Sequence, residues 1–129
     1  MSTSINASMI EDAIATFVHL FNRGEYEKAS WIYAEDAVLI EDGLLNRGRA
    51  QVLGAAQEQN NFIKTHEVRL CQINEAGNLA LVWCDYEIIH QTGDGPCVTY
   101  SGCSTLNFSM TETGLLIIAD TGMIHGQSS

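Results

Sequence analysis

Two pairs of carboxylates flank a short apolar run in the segment AEDAVLIEDG, residues 34–43. Glu35 and Asp36 precede the run, and Glu41 and Asp42 follow it. If the run is a strand that rises about 3.3 Å per residue, Asp36 and Glu41 lie about 16 Å apart and cannot form one acid–base pair. The near end is therefore predicted to be structural, with Asp36 capping backbone amides, and only the far end is a candidate for proton transfer.

Two interpretations of the far end are open. Partial burial at the rim of a pocket would raise the pKa of a carboxyl toward the working range of a general base. Alternatively, Glu41 and Asp42 are the solvated end of a strand, as charged residues usually are. A desolvated carboxylate within reach of a ligand would favour an enzyme, whereas a cavity with every acid facing solvent would exclude one.

Hydrophobic spacing predicts three helices in the first half of the chain. A Ser8–Glu11 capping box predicts the start of the first helix, which continues until Gly24. A second short helix is predicted over 25–33 and a third over 49–61, with the strand DAVLI and the loop GLLNRG between them. These helices have to cover whatever sheet follows.

From residue 64 onward, four β-type runs are separated by the turn-forming segments EAGN, TGDGP and TETG. They predict consecutive antiparallel hairpins and an α+β fold, with a curved antiparallel sheet packed on the three N-terminal helices in one domain, residues 1–129. The run GLLIIA is apolar at successive positions, so both faces of the last strand should be covered. Because the helices cover one face, a homodimer through the other sheet face is expected. The alternative is that one face of the last strand stays uncovered.

Composition narrows the classes of partner. With 16 acidic and 6 basic residues, the net charge of −10 would repel nucleic acid and anionic membranes. The N-terminal segment does not resemble a signal peptide, and no run reaches the roughly 20 apolar residues that span a bilayer, so a cytoplasmic protein is expected. The four cysteines and four histidines lack the spacing of metal ligands, and no cofactor or metal is predicted.

Three motifs resemble the nuclear transport factor 2-like superfamily, in particular its ketosteroid isomerase-like and SnoaL-like branches. They are FVHLFNRGEYEKASWIYAEDAVLIEDG, GRAQVLG and the terminal TGLLIIAD, and the resemblance covers nearly the whole chain. It implies a cone-shaped α+β barrel of the cystatin-like type, which encloses a pocket and often dimerises through its outer sheet face. It does not imply one activity, since members include isomerases, cyclases, dehydratases and binding domains without chemistry.

The isomerase-like branch implies roles for four positions. An ungapped match places its general base on Glu41, and a slip of one residue places it on Asp42. Its phenolic donor falls at Phe17, which cannot donate a hydrogen bond, and its carboxylic acid donor falls near Ser104. Because losing such a donor typically costs about 10²-fold or more in rate, steroid isomerisation is disfavoured.

The SnoaL-like branch implies roles on the last two strands. Its catalytic aspartate falls nearer Thr121 than Asp120, and the preceding strand, VTYSGCSTLNF, lacks the expected histidine. Alternation, oriented by the resemblance, gives the last strand a pocket face that consists of Leu115, Ile117, Ala119, Thr121, Met123 and His125. Asp120 then points outward, unless a bulge near Gly122 shifts the register.

The predicted function is binding of a small hydrophobic organic ligand in an apolar pocket. If the protein is an enzyme, it transfers a proton on a carbonyl substrate, with Glu41 or Asp42 as base and Asp120 or His125 assisting. Periodicity does not decide which face of the strand containing LALVW lines the pocket. The predicted wall consists of Phe17, Tyr33, Trp83, Tyr100, Thr121 and Met123. The alternative is a non-catalytic dimeric binding or interaction module.

Overall fold

Helices precede a long four-stranded meander in the computed structural model, which describes residues 4–57, 61–91 and 93–128. The first half contains helix α1, Ala7–Asn22, helix α2, Tyr26–Ala29, a 3₁₀ turn, Ser30–Ile32, strands β1, Tyr33–Glu41, and β2, Leu44–Arg47, and helix α3, Arg49–Gln57. The second half contains strands β3, Asn61–Ile73, β4, Leu79–Gln91, β5, Cys97–Thr111, and β6, Gly114–Ser128. Within the described ranges, no helix has the length and apolar character needed to span a membrane.

The six strands form a single sheet in the order β2-β1-β6-β5-β4-β3. Strands β3 to β6 pair as consecutive antiparallel hairpins, which confirms that prediction. Strand β1 instead pairs in parallel with β6, and this pairing brings the acids at the end of β1 next to the last strand. The sheet is curved but does not close, and the helices pack on it, so the α+β class is confirmed.

The core lies between α1 and the concave face of the sheet. Ile10 and Ile14 lie one turn apart on the buried side of α1, and the side chains of Val82 and Phe108 are fully buried on the sheet. Full burial of such a side chain contributes about 1.5–3 kcal/mol. The helix is capped by Asn6, whose Oδ1 accepts a 3.0 Å hydrogen bond from the Met9 amide.

Two polar side chains anchor the helices to the strands. Asn22, at the end of α1, bonds both backbone groups of Ile63, donating to its carbonyl and accepting from its amide at 2.8 Å each. Arg49, at the start of α3, donates through Nε and Nη2 to the Tyr33 carbonyl at 2.9 and 2.6 Å. Both contacts are structural, and the second holds the first residue of β1 in place.

Several predicted boundaries are wrong. The Ser8–Glu11 box does not begin α1, because Asn6 caps the helix two residues earlier. The predicted second helix ends early, since β1 already starts at Tyr33. The predicted loop GLLNRG contains β2, which pairs with β1 across a turn at Asp42 and Gly43 with φ values of 49° and 84°. For the third helix, 58–60 lie outside the described residues, and Asn61 already belongs to β3.

Candidate active site

A cavity of about 160 Å³ lies between the helices and the concave face of the sheet. Most of its wall is apolar, and the rings of Phe17 and Tyr33 meet edge to face there, with centroids 6.1 Å apart. The apolar members include Phe17, Val18, Phe21, Leu39, Ile63 and Ile88. The polar side chains that matter for chemistry are Tyr33, Glu41, Tyr86, Ser104 and Asp120. Among the described residues of the wall there is no lysine, arginine or histidine to neutralise the two acids.

Asp120 is the most strongly perturbed carboxyl of the cavity. Its side chain is buried, and its Oδ2 accepts a 2.9 Å hydrogen bond from the Tyr33 hydroxyl. Its Oδ1 is also buried and has no hydrogen-bond partner in the described part of the chain. Burial raises the pKa of Asp120 from 3.8 to about 6, the Tyr33 and Ser104 hydroxyls oppose this rise, and the charge of Glu41 adds to it.

A bulge in β6 turns Asp120 into the cavity. Asn107 pairs with Ala119 and Phe108 pairs with Ile117, which leaves Ile118 without a partner on β5. Because one extra residue reverses the side-chain alternation, Ile117 and Asp120 both face the cavity. The predicted outward orientation of Asp120 is therefore wrong, and the bulge lies at Ile118 rather than near Gly122.

Two irregularities in β6 account for three predicted residues that lie outside the cavity wall. Thr121 and Met123, predicted to line the pocket, are exposed and lie outside the cavity wall. His125, predicted to assist catalysis, is also exposed and outside the wall, at a second irregularity between the Ser101–Gly126 and Gly102–Ile124 pairs. These placements are wrong because strict alternation does not hold across either irregularity.

The two acids at the end of β1 have different surroundings. Glu41 lies beside Gly122 in the β1–β6 pairing, is half-buried and lines the cavity. Burial, and then the charge of Asp42, raises the pKa of the Glu41 carboxyl. Asp42 is exposed, and its Oδ1 accepts a 2.9 Å hydrogen bond from the Ile124 amide. Asp42 therefore fastens the turn to β6, and Glu41 is the acid of this pair that faces the cavity.

Tyr86 and Ser104 form a hydroxyl pair that the sequence analysis did not identify. Ser104 Oγ donates a 3.1 Å hydrogen bond to the Tyr86 hydroxyl. Gly122 leaves room for this pair, since a Cβ at that position would lie 2.9 Å from Ser104 Oγ and 3.2 Å from the Tyr86 hydroxyl. A glycine inside a long strand often marks such a close approach, and this was the available signal.

Of the predicted aromatic wall, Phe17 and Tyr33 line the cavity, and Trp83 and Tyr100 do not. Cys84 and Tyr86 face the cavity from β4, so alternation turns Trp83 to the outer face, where the Arg69 guanidinium lies 5.6 Å from the centre of its ring. Tyr100 pairs with Ile88 on the neighbouring strand but lies beyond the cavity wall. The wall predictions for these two residues are wrong.

The cavity wall also includes a cysteine, Cys84. Across the described ranges, no three histidine, cysteine, aspartate or glutamate residues are grouped to hold a metal ion. Cys84 faces the cavity, and burial, followed by the charge of Asp120, raises the pKa of its thiol to about 12. The thiol stays protonated at neutral pH and is a poor nucleophile.

Comparison with known proteins identifies the fold. No protein-family model matches the sequence, and no curated protein matches it either. A provisionally named scytalone dehydratase from Novosphingobium aromaticivorans matches the structure with a TM-score of 0.83 and 11% identity, over 94% of this chain and 85% of that chain. An NTF2-like protein with a cystatin-like fold from the same species matches with a TM-score of 0.77 and 16% identity, over 95% and 83% of the two chains.

A hexachlorocyclohexane dehydrochlorinase, LinA type 2, also matches, with a TM-score of 0.80 and 12% identity, over 94% of this chain and 86% of that chain. The fold is therefore the nuclear transport factor 2-like α+β fold, as the sequence motifs predicted. Identities this low establish the fold alone, because one fold hosts many activities. Function depends on the residues that line the cavity.

Proposed function

We propose that this domain binds a small, uncharged carbonyl compound in its cavity and transfers a proton on it, with Asp120 as the base. The observation that supports this most directly is the Asp120 carboxyl, held at Oδ2 by Tyr33 and without a partner at Oδ1 in a largely apolar cavity. A carboxyl with a pKa of about 6 is mostly ionised at neutral pH and close to the ideal range for general base catalysis.

The composition of the cavity wall supports an uncharged substrate. Asp120 and Glu41 are the charged groups of the described wall, and the whole chain carries a net charge of −10, so an anionic ligand would be repelled. The volume of about 160 Å³ is comparable with cavities of roughly 150 Å³ that hold a benzene-sized molecule. A single-ring ketone with an acidic α-hydrogen fits these limits.

The structural neighbours are compatible with this chemistry. A dehydratase removes water and a dehydrochlorinase removes hydrogen chloride from a substrate, and both names occur among proteins of this fold. Each elimination takes a proton from the substrate, so the fold accommodates proton abstraction.

Hydrogen–deuterium exchange tests the proposal. The protein would be incubated in heavy water with a panel of single-ring ketones, and loss of the α-hydrogen signal would be followed by proton NMR. We expect exchange above the buffer rate and a loss of about 10²-fold or more in Asp120→Asn, a typical contribution of a general base. Glu112→Gln, which neutralises an exposed acid in the β5–β6 turn, is the matched control. Exchange at the buffer rate across the panel, or exchange that survives Asp120→Asn, contradicts the proposal.

A homodimer through the outer sheet face is a second proposal. Ile118 and Met123 of the interior strand β6 are 38% and 55% exposed, and Trp83 lies on the outer face. Apolar side chains on an exposed sheet face are typical of an interface. We expect sedimentation equilibrium to give a dimer that Met123→Asp dissociates, whereas Leu44→Asp on edge strand β2 should not. A monomeric wild-type protein would exclude this interface.

A non-catalytic binding module is the remaining alternative, and the largely apolar cavity wall favours it. A ligand that raises the thermal stability of the protein in a dose-dependent manner, without any hydrogen exchange, would support this function instead. The exchange and binding measurements together therefore separate an enzyme from a binding domain.

A further inference from the structure

The Tyr86 hydroxyl accepts a hydrogen bond from Ser104, but it donates its own proton only weakly. Ser104 Oγ donates to it at 3.1 Å, while the acceptor nearest to its own proton, the Cys103 carbonyl, is 3.5 Å away. Hydrogen bonds between oxygens are normally 2.5–3.0 Å long, so this second contact is weak. Tyr86 also lines the cavity, and its proton is therefore available to a ligand.

The surroundings of Tyr86 keep it a donor rather than a base. Burial raises the pKa of its phenol to about 12, and the nearby carboxylates of Asp120 and Glu41 contribute in the same direction. Gly122 provides the space for the hydroxyl, since a Cβ there would lie 3.2 Å from it. Gly122 pairs with Glu41 on one neighbouring strand and with Ser104 on the other. The phenol of Tyr86 and the carboxyls of Asp120 and Glu41 therefore lie around this glycine in the cavity.

Other residues do not offer this donor. The Tyr33 hydroxyl already donates to Asp120 at 2.9 Å. Phe17, which lies where the isomerase-like resemblance implies a phenol, has no hydroxyl. The cavity therefore has its available phenol on β4 instead of on the first helix.

We propose, on the basis of the proton transfer proposed above, that Tyr86 donates the hydrogen bond that stabilises the carbonyl oxygen of the substrate as it becomes an enolate. The α-carbon–hydrogen bond breaks and its proton passes to Asp120 Oδ1. The electron pair of that bond forms a carbon–carbon double bond, and the π-electron pair of the carbonyl moves to the oxygen that Tyr86 faces. The reverse steps return a proton, or a deuteron in heavy water, to carbon. Ser104 strengthens the donor, because a hydroxyl that accepts a hydrogen bond donates a better one.

Two measurements on the same variants test this role. The first is the ketone exchange rate, for which Tyr86→Phe should lower the rate of the bound ketone about 10²-fold or more, as loss of one oxyanion donor does. The KM for the ketone and the midpoint of the pH profile should change little, because Asp120 and the apolar wall remain. Ser104→Ala should lower the rate about 5-fold, the equivalent of one ordinary hydrogen bond. It should also move the midpoint of the pH profile upward, because the Ser104 hydroxyl lowers the pKa of Asp120. Thr105→Val, which removes an exposed hydroxyl next to Ser104 on the other strand face, should leave the rate unchanged.

The second measurement does not need turnover. The probe is 3,4-dinitrophenol, a phenol more acidic than Asp120, so that its proton passes to Asp120 and the bound phenolate mimics the enolate and absorbs visible light. We expect Tyr86→Phe to lower its affinity about 10-fold and to reduce the phenolate absorbance of the bound probe. If Tyr86→Phe does not fold, Ser104→Ala is expected to give smaller changes in the same direction.

The outcomes separate this inference from the proposed function. Wild-type exchange that Tyr86→Phe leaves unchanged overturns the role of Tyr86 but keeps proton transfer by Asp120. A Tyr86→Phe variant that changes only KM assigns Tyr86 to the apolar wall, which also overturns its role as donor. If the wild type exchanges no ketone, the proposed function fails, and unchanged phenolate absorbance in Tyr86→Phe then independently overturns the donor.

Discussion

The hydroxyl of Tyr33 donates a 2.9 Å hydrogen bond to Oδ2 of Asp120, which is 87 positions away in the chain. Tyr33 is the first residue of β1, and the Arg49 guanidinium holds its carbonyl from α3. The bond directs Oδ2 toward β1 and leaves Oδ1 as the oxygen without a partner in the described chain. Tyr33 of β1 thereby determines which oxygen of Asp120 is available for a substrate proton.

Asp120→Asn should stabilise the fold at neutral pH. Because the folded-state pKa of about 6 lies above the ordinary value of 3.8, the native state binds this proton more tightly than the unfolded chain does. The resulting stabilisation is complete below the ordinary value and is lost as the pH rises through about 6. One pKa unit corresponds to about 1.4 kcal/mol. The unfolding free energy of Asp120→Asn should therefore exceed that of the wild type by about 2–3 kcal/mol near pH 7.

Urea unfolding of both proteins across this pH range measures the difference directly. The two curves of unfolding free energy should converge near about pH 3, where the Asp120 carboxyl is protonated in both states. Glu112→Gln, at an exposed position, should follow the wild type throughout. A constant difference between Asp120→Asn and the wild type at every pH would show that Asp120 is not desolvated in the native state.

Tyr33→Phe should move the pH profile of ketone exchange to higher pH. The Tyr33 hydrogen bond stabilises the ionised carboxylate and so lowers the pKa of Asp120. Without this bond, the effect of burial dominates further and the pKa of Asp120 rises. The unfolding free energy should fall by about 1–3 kcal/mol, since Oδ2 would be left buried without this partner. Exchange rates and urea unfolding measured across a pH series provide both readouts. A profile that keeps its wild-type midpoint would refute the proposed effect of Tyr33 on Asp120.

Gly122→Ala should disturb the Tyr86–Ser104 pair. Its Cβ would lie 2.9 Å from Ser104 Oγ and 3.2 Å from the Tyr86 hydroxyl, so at least one hydroxyl has to shift. We expect a loss of about 1–3 kcal/mol in unfolding free energy, typical of overpacking, together with slower ketone exchange. Gly126→Ala on the same strand is the control, because its Cβ would meet Ser101 Cβ at an ordinary 3.5 Å. Equal effects of the two substitutions would argue against a specific role for Gly122.

Asn22→Ala should detach the end of α1 from β3. Two 2.8 Å hydrogen bonds to the backbone of Ile63 would be lost, at a cost of about 1–3 kcal/mol. Asn22→Asp keeps an acceptor for the Ile63 amide but has no donor for its carbonyl, so an intermediate cost is expected. Thermal unfolding gives the stabilities, and faster hydrogen exchange of the Ile63 amide would locate the effect. Wild-type protection of that amide in Asn22→Ala would contradict this anchoring role.

Local signals were sufficient for much of the architecture. The helical spacing of Ile10, Ile14 and Phe21 predicted α1, and the segments EAGN and TETG predicted two of the turns between the long strands. Strand β2 also had a local signal, since Asp42-Gly43 is a favoured hairpin turn. The two acids of this turn serve different purposes, since Glu41 lines the cavity and Asp42 bonds the Ile124 amide.

The sequence by itself determined that acids stand at both ends of β1 and that an apolar strand ends in Asp120. Tertiary structure decided which acids reach the cavity, through the parallel pairing of β1 with β6 and the bulge at Ile118. The position of a bulge depends on the partner strand, and a shift of one residue reverses the side chains that follow. Alternation along one strand therefore cannot reveal that Asp120 faces inward, or that Tyr86 and Ser104 meet beside Gly122.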